Sequence, residues 1–163
     1  PQAPATADAS GDPPNLHLGM RRLGWQLDYG RLRTYLREKY AVGTAYMFMG
    51  YLPEQQGLYR KLQKAGYVLI FKEVVRWPGQ KVKGNVDAEL VLQAMIDIAD
   101  YEKAVIITSD GDFACLVRHL KDQGKLRAVL SPERERSSVL LRKAAKHDHI
   151  ELCDARRLLE RKK

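Results

Sequence analysis

Short, continuous apolar runs alternate with helical repeats along most of this chain, and this alternation limits the fold more than any other feature. An amphipathic helix is apolar every three or four positions, whereas a buried parallel strand is apolar throughout. The predicted helices span residues 28–40, 53–65, 86–99, 113–123 and 137–146, and the predicted strands span residues 44–49, 67–75, 105–108, 126–130 and 149–152. Strands separated by helices predict an α/β fold with a mainly parallel sheet. A functional site is then expected at the carboxyl ends of the strands.

The two ends of the chain depart from this pattern. Residues 1–11 are rich in proline, alanine and small polar residues, so we predict a flexible arm that carries no central strand. Residues 12–153 form the predicted domain. Residues 154–163 are predicted to form a basic helical tail with Leu158 and Leu159 as its apolar contacts.

Composition narrows the classes of protein that need to be considered. The 163 residues carry a net charge of +8, which favours polyanionic partners such as nucleic acid. No apolar run approaches the about 18 residues that a membrane helix needs, so no membrane partner is expected. The cysteines Cys115 and Cys153 have no metal-type spacing and cannot form a disulfide framework, so we expect a cytoplasmic protein.

The segment VIITSDGDF (105–113) places two carboxylates directly after a predicted strand. Asp110 follows the strand, Gly111 permits a tight turn, and Asp112 begins the next helix. An alternative interpretation is that Asp112 only caps that helix and that Asp110 is an ordinary turn residue. A further carboxylate, Asp87, begins the most apolar helix, where capping alone would also explain it.

Polar residues surround these carboxylates in the sequence. Lys81, Lys83 and Asn85 precede Asp87, and the segment from Asp12 to Asn15 supplies two more oxygen-bearing side chains. Clustered carboxylates suit hard cations such as Mg²⁺ or Mn²⁺, which can neutralise charge on a phosphodiester and activate water. A basic protein with an acidic pocket is typical of a nuclease. The chain contains no P-loop, dinucleotide-binding, GxSxG or HExxH motif.

Four segments together resemble the successive motifs of NYN domains, a branch of the PIN-like nuclease superfamily, and look closest to the small bacterial single-domain type. They are DPPNLHLGMRRLGW (12–25), KGNVDAELVL (83–92), AVIITSDGDFACLV (104–117) and SSVLL (137–141). The resemblance implies a Rossmann-like three-layer sandwich with a mainly parallel central sheet, bound Mg²⁺ or Mn²⁺, and ribonuclease activity. The metal-binding and catalytic acids that it implies are Asp12, Asp87, Asp110 and Asp112. The pocket-lining residues that it implies are Asn15, Thr108, Ser109, Ser137 and Ser138.

These observations lead to the hypothesis of a metal-dependent endoribonuclease that acts on RNA. The RNA backbone would be held by Lys81, Lys83, Arg134 and Arg136. Trp77 either stacks on a base or packs within its loop. Two alternatives stay open. One is an RNA-binding or partner-binding NYN module with little or no activity, which a missing first strand would favour. The other is a structural regulator that acts as a homodimer, which an extensive apolar surface would favour.

Overall fold

The computed structural model of the chain describes residues 3–8, 22, 24–79, 85–132 and 136–162. The strands are β1 (Ala3–Asp8), β2 (Val42–Gly50), β3 (Tyr67–Lys72), β4 (Ala104–Ile107), β5 (Leu126–Ser131) and β6 (His149–Glu151). The α-helices are α1 (Tyr29–Tyr40), α2 (Gln56–Lys64), α3 (Asp87–Ile96), α4 (Ala114–Asp122), α5 (Val139–Ala145) and α6 (Arg156–Leu159). Single 3₁₀ turns span Pro53–Gln55, Gly111–Phe113, Lys146–Asp148 and Leu152–Ala155.

The six strands form one sheet in the order β3-β2-β1-β4-β5-β6, and every neighbouring pair is parallel. In a parallel sheet the chain must cross back to the starting edge after each strand before the next strand can begin. The intervening helices make that crossing. The carboxyl ends of all six strands therefore meet at one edge. The predicted α/β fold with a parallel sheet is confirmed.

The prediction that residues 1–11 carry no central strand is wrong. Ala3–Asp8 forms β1 in the middle of the sheet, where Ala5 pairs with Ala45 of β2 and with Val105 of β4. Alanine has a low strand propensity, but strand propensity depends strongly on context. A strand with partners on both sides gains two ladders of backbone hydrogen bonds, and this tertiary pairing outweighs the local composition.

The end of β1 brings an acidic residue to the carboxyl edge of the sheet. Asp8 pairs with Phe48 of β2 and follows Ala7, the residue that pairs with Ile107 of β4. Asp12, which the resemblance matches to the acid of the first strand, lies outside the described residues, as does Asn15. The chain therefore has an acid at the end of its central strand, at a position that composition did not reveal.

Two hydrophobic cores lie on opposite faces of the sheet, which gives the three layers of the predicted sandwich. The first core contains Leu36 of α1, Leu62 of α2 and Leu159 of α6. The second core contains residues of α3, α4 and α5, among them Leu90, Leu120 and Leu141. Successive strand residues alternate between the two cores, as the pleat of a strand requires. In β2, for example, Met47 belongs to the first core and Phe48 to the second.

The element boundaries agree with the predicted ones at some ends and differ at others. The predicted start of the first helix at Asp28 is confirmed, because its side chain accepts a 3.0 Å hydrogen bond from the Arg31 amide. The predicted strand over 67–75 ends earlier, at Lys72. The C-terminal segment packs against α1, since the Asp28 amide donates a 2.9 Å hydrogen bond to the Leu159 carbonyl. Within the described residues, no helix is long and apolar enough to cross a membrane.

Candidate metal centre

Three carboxylates meet at the carboxyl edge of the sheet, as the sequence predicts. Asp110 lies just beyond β4, Asp112 lies in the following 3₁₀ turn, and Asp87 is the first residue of α3. One oxygen from each lies within 4.8 Å of one oxygen from each of the others. Three carboxylate oxygens at such separations provide the hard donor set that Mg²⁺ and Mn²⁺ prefer.

The loop after β4 is held by hydrogen bonds between its own residues. The Asp110 amide donates to the Thr108 hydroxyl at 3.1 Å, and the Asp112 amide donates to Oδ1 of Asp110 at 2.8 Å. Asp110 is therefore the cap of the 3₁₀ turn, and the alternative that assigned the cap to Asp112 is wrong. Because this cap occupies only one carboxylate oxygen of Asp110, capping and metal binding are compatible roles for the same side chain.

The turn before α5 supports the acidic loop from behind. The Ser138 amide donates a 3.1 Å hydrogen bond to the Ser109 carbonyl, and its hydroxyl caps α5 by accepting from the Leu140 amide at 3.2 Å. A Cβ atom added to Gly111 would lie 2.9 Å from the Cβ of Ser138, closer than van der Waals contact allows. Gly111 is therefore required by the close approach of these two segments, which places Asp110 and Asp112 on either side of the contact.

The five predicted pocket-lining residues have different surroundings. Thr108 is buried with its hydroxyl turned to the loop backbone, and the buried hydroxyl of Ser109 has no hydrogen-bond partner among the described residues. Ser138 touches the loop, whereas Ser137 is buried and its hydroxyl lies 3.2 Å from the Ser131 hydroxyl. Asn15 lies outside the described residues.

The surroundings of Asp87 perturb its carboxyl group. Burial raises the pKa of its carboxyl group, and the negative charges of Asp110, Asp112 and Glu89 raise it further, against an opposing hydrogen bond from Asn85. One carboxylate oxygen, Oδ1, is buried and has no hydrogen-bond partner within the described part of the chain. A divalent cation would supply both the missing partner and the missing positive charge, so the residues present fit such an ion.

The family model of the NYN domain matches residues 11–153, which is nearly the whole chain. The chain belongs to the NYN domain family. None of the curated proteins is significantly similar to it in sequence. The match begins after β1, so the structure adds a central strand to the NYN region that was matched.

A solved structure shares this fold. A crystal structure of a protein of unknown function from Vibrio parahaemolyticus superposes with a TM-score of 0.74 over 93% of this chain and 93% of that chain. The two sequences are 19% identical, so the likeness concerns the fold alone. It is consistent with the PIN-like α/β fold that the motifs predict.

Lys72, which no sequence pattern indicated, contacts the start of α3 beside the candidate metal centre. Its ammonium nitrogen donates to the Asn85 carbonyl at 2.7 Å and lies 3.3 Å from Oε1 of Glu89. These contacts join the end of β3 to the first turn of α3, where Asp87 begins the helix. The predicted strand over residues 67–75 places Lys72 within a strand and not at the edge where the site forms, whereas the strand ends at Lys72.

The predicted RNA contacts are only partly described. Lys81, Lys83 and Arg134 lie outside the described residues, and Arg136 is exposed beside the turn that precedes α5. Trp77 is 66% exposed, so the interpretation that it packs within its loop is wrong. The neighbouring Arg76 forms an ion pair with Glu54, which fixes this loop next to the 3₁₀ turn after β2.

A buried polar network lies behind the acidic loop and joins β5, β6 and the turn before α5. Nε2 of His149 lies 2.8 Å from the Ser131 hydroxyl and 2.9 Å from the Ser137 hydroxyl. Ser131 also donates a 3.0 Å hydrogen bond to the Thr108 carbonyl. This network therefore connects His149 to both segments that hold the acidic loop.

We expect the protein to be less stable in mild acid, because His149 in this network is protonated less readily in the folded state than in the unfolded state. Burial lowers the pKa of His149, against the raising effect of Glu151 and with a smaller lowering effect from Arg142. The unfolded chain thus takes up the proton at a higher pH than the folded chain, and stability is lost as the pH falls through about 6.5. Melting temperature measured between about pH 7.5 and about pH 5.5 tests this expectation.

The matched variant is His149→Gln, which keeps hydrogen-bonding capacity but does not titrate. It should cost about 1–2 kcal/mol at neutral pH, because the serine contacts are imperfectly replaced, and its melting temperature should vary less with pH. If the melting temperature varies with pH equally in the parent and in the variant, another group causes the loss of stability in acid.

Proposed function

We propose that this NYN protein is a metal-dependent endoribonuclease that hydrolyses RNA phosphodiesters. The observation that carries the proposal is the convergence of the Asp87, Asp110 and Asp112 carboxylates within 4.8 Å at the carboxyl edge of the sheet. In a PIN-like fold this edge is where a ligand reaches the strand ends. The net charge of +8 supports an anionic substrate, and the resemblance to NYN domains supports RNA over DNA as that substrate.

Each acid has a defined part in this proposal. Asp87, Asp110 and Asp112 would hold Mg²⁺ or Mn²⁺, which when bound neutralises phosphodiester charge and activates water. The hydrogen bond from the Asp112 amide fixes the Asp110 carboxylate before the ion arrives. Lys72 contacts the Asn85 carbonyl just before α3 and Glu89 in its first turn, and so would hold the segment from which Asp87 projects. Preorganised acids bind an ion without a cost of rearrangement.

Cleavage of a labelled single-stranded RNA in Mn²⁺, Mg²⁺ or EDTA tests this function. We expect cleavage with either ion and none with EDTA, and slower or no cleavage of a DNA strand of the same sequence. The Asp110→Asn protein, purified in parallel, controls for contaminating ribonuclease. Cleavage that persists in EDTA would contradict the proposal.

Asp8 is expected to contribute to the same activity. Its place at the end of β1, beside the strand that leads to Asp110, puts a fourth acid at this edge of the sheet. We expect Asp8→Asn to lower the cleavage rate by at least about tenfold, the loss that accompanies a misplaced supporting group at a metal site. The matched substitution Asp12→Asn tests the acid that the resemblance implies. A larger loss at Asp12 than at Asp8 would contradict the assignment of Asp8.

A module without activity is the alternative that a missing first strand favoured. That argument no longer applies, because Ala3–Asp8 forms the central strand. RNA binding without cleavage in the assay above would still support that alternative.

An exposed apolar stripe on α3 favours a second candidate property, self-association. Leu92, Met95 and Ile96 lie on one helix face with 60%, 36% and 62% of their surfaces exposed. We also propose that this stripe joins two copies of the chain, since apolar faces of this kind mark interaction sites. Light scattering should show a dimer that Ile96→Asp converts to a monomer, whereas Leu158→Asp on α6 should leave it unchanged. A monomeric parent protein would exclude this dimer.

A further inference from the structure

The imidazole ring of His149 lies buried behind the acidic loop, close to the carboxyl ends of β4 and β5. Only 7% of its side chain is exposed. Its Nε2 atom lies 2.8 Å from the hydroxyl of Ser131, at the end of β5, and 2.9 Å from the hydroxyl of Ser137, in the turn before α5. Both serines are buried, and their hydroxyls lie 3.2 Å apart. A titratable ring is thus held in the interior by neutral partners, and the proposed reaction gives it no chemical step.

The surrounding hydrogen bonds fix which ring nitrogen of His149 carries the proton. The Ser131 hydroxyl has one proton, and it donates that proton to the Thr108 carbonyl at 3.0 Å. Ser131 can therefore only accept from His149, which requires a hydrogen on Nε2. The other nitrogen, Nδ1, lies 3.9 Å from Oε1 of Glu151, which is too far for a hydrogen bond. Neutral His149 is thus a donor whose Nε2 hydrogen is shared between two serine hydroxyls.

One route leads from His149 to the backbone on which Asp110 is built. Ser131 accepts from the ring and donates to the Thr108 carbonyl, just beyond the end of β4. The Thr108 hydroxyl in turn accepts a 3.1 Å hydrogen bond from the Asp110 amide. Both polar groups of Thr108 are therefore engaged, and together they set the direction in which the loop leaves the strand.

A second route leads from the same ring nitrogen to the other side of the acidic loop. Ser137, the second serine at Nε2, is followed by Ser138, whose amide donates to the Ser109 carbonyl at 3.1 Å. The Ser138 side chain also lies against Gly111. The ring consequently ties the turn before α5 to the end of β5, while that turn packs against the acidic loop. One donor thus supports both segments that hold the loop.

We propose that His149 is a positioning residue of the candidate metal centre, which holds the loop bearing Asp110 and Asp112 in the form that binds the ion. The proposal rests on the metal binding in the proposed function and deepens it by naming a supporting group beyond the acids. In this role His149 acts through the two serines and not on the ion itself. An acid whose backbone is fixed before the ion arrives loses little freedom on binding, whereas a loose loop must first be ordered.

The test measures the Mn²⁺ affinity of folded proteins that differ at His149. His149→Phe keeps a planar ring of similar size but removes the donor, and His149→Gln keeps an N–H donor at a similar reach. Tyr67→Phe is the matched control, because it removes a buried 2.8 Å hydrogen bond to the Tyr29 carbonyl in the core on the opposite face of the sheet. Free Mn²⁺ is measured by electron paramagnetic resonance at about pH 7.5, where His149 is neutral, and at a temperature at which circular dichroism shows every variant to be folded.

We expect Mn²⁺ to bind about tenfold more weakly to His149→Phe than to the parent, which is the lower end of the loss at groups that support metal ligands. His149→Gln should bind Mn²⁺ within about threefold of the parent, and Tyr67→Phe within about twofold even if its melting temperature falls as far. A His149→Phe protein that binds within about twofold of the parent, or an equal loss in Tyr67→Phe, would overturn the proposal.

Ser131→Ala is a second variant that leaves His149 in place and removes the link between the ring and Thr108. It should weaken Mn²⁺ binding by at least about fivefold, and adding His149→Phe to it should cost much less than in the parent. Losses that simply multiply would show that His149 does not act through Ser131 and would overturn the proposal. In the parent, ¹⁵N NMR of the ring should show the proton on Nε2, and a proton on Nδ1 would overturn the assignment of the donor.

Failure of the positioning role and failure of the nuclease proposal give different results. A parent protein that cleaves RNA with Mn²⁺, together with a His149→Phe protein that binds Mn²⁺ normally, would refute the positioning role alone. A parent protein that binds Mn²⁺ and loses affinity on His149→Phe, but does not cleave RNA, would support the positioning role and refute the nuclease.

Discussion

Asp110→Asn is expected to abolish metal-dependent RNA cleavage while the fold stays intact. Asparagine keeps the oxygen that accepts the hydrogen bond from the Asp112 amide, so the turn after β4 should form as before. It removes the negative charge that a hard cation requires. We expect cleavage to become about a thousandfold slower, which corresponds to a loss of about 4 kcal/mol of transition-state stabilisation.

When no metal is present, Asp110→Asn should leave the thermal stability of the protein unchanged or raise it, although it abolishes activity. The charge of Asp110 contributes to the raised pKa of Asp87, so its removal relieves repulsion between the two groups. The melting temperature in EDTA should then stay the same or rise, and the increase produced by Mn²⁺ should shrink. Asp100→Asn, the same change at an exposed residue beyond α3, serves as the control. Full activity of the Asp110→Asn protein would rule out the proposed mechanism.

Gly111→Ala should damage both the stability and the activity of the protein. The new methyl group would overlap the side chain of Ser138, so the acidic loop and the turn before α5 would have to separate. Overpacking of this kind costs about 1–3 kcal/mol, and the movement would displace Asp110 and Asp112. Displacement of catalytic groups by about 1 Å can slow a reaction about a hundredfold.

A double-mutant cycle tests whether contact with Ser138 causes this loss. In the Ser138→Gly background the obstructing atoms are gone, so Gly111→Ala should cost much less than it does in the parent. Gly57→Ala is the matched control, because nothing lies within 4 Å of a Cβ at that position in α2. That change should be neutral or stabilise the protein by up to about 1 kcal/mol. Equal costs in both backgrounds would show that Ser138 is not the obstruction.

Most of the fold and the centre of the candidate site could be predicted from the sequence. The apolar runs that became β2, β4 and β5 are continuous because both faces of a parallel sheet are buried, and that requirement is visible in a single chain. Asp110 and Asp112 follow β4 directly, and Asp87 begins a helix, so local pattern placed each of them at an element end. Strand ends of a parallel sheet share one edge, and the meeting of these acids followed from that geometry.

Other parts of the molecule had no local signal. β1 forms from alanine-rich sequence because β2 and β4 supply hydrogen-bond partners on both sides, and those partners come from residues about forty and a hundred positions away. Lys72 reaches the site only because β3 ends there and the first turn of α3 lies opposite. The contact of Gly111 with Ser138 likewise joins segments that are distant in the sequence.

The sequence by itself determined the helices and strands with strong periodicity, the excess of positive charge, and the three acids placed at element ends. Each of these depends on residues that are close together along the chain. Only the tertiary structure decided the central strand, the place of Asp8 at its end, and the contacts of His149 with the two serines behind the acidic loop. A strand with low propensity and a hydrogen-bond network between separate strands exist only when distant segments pair and pack, and the energy of those contacts is not encoded in any short segment.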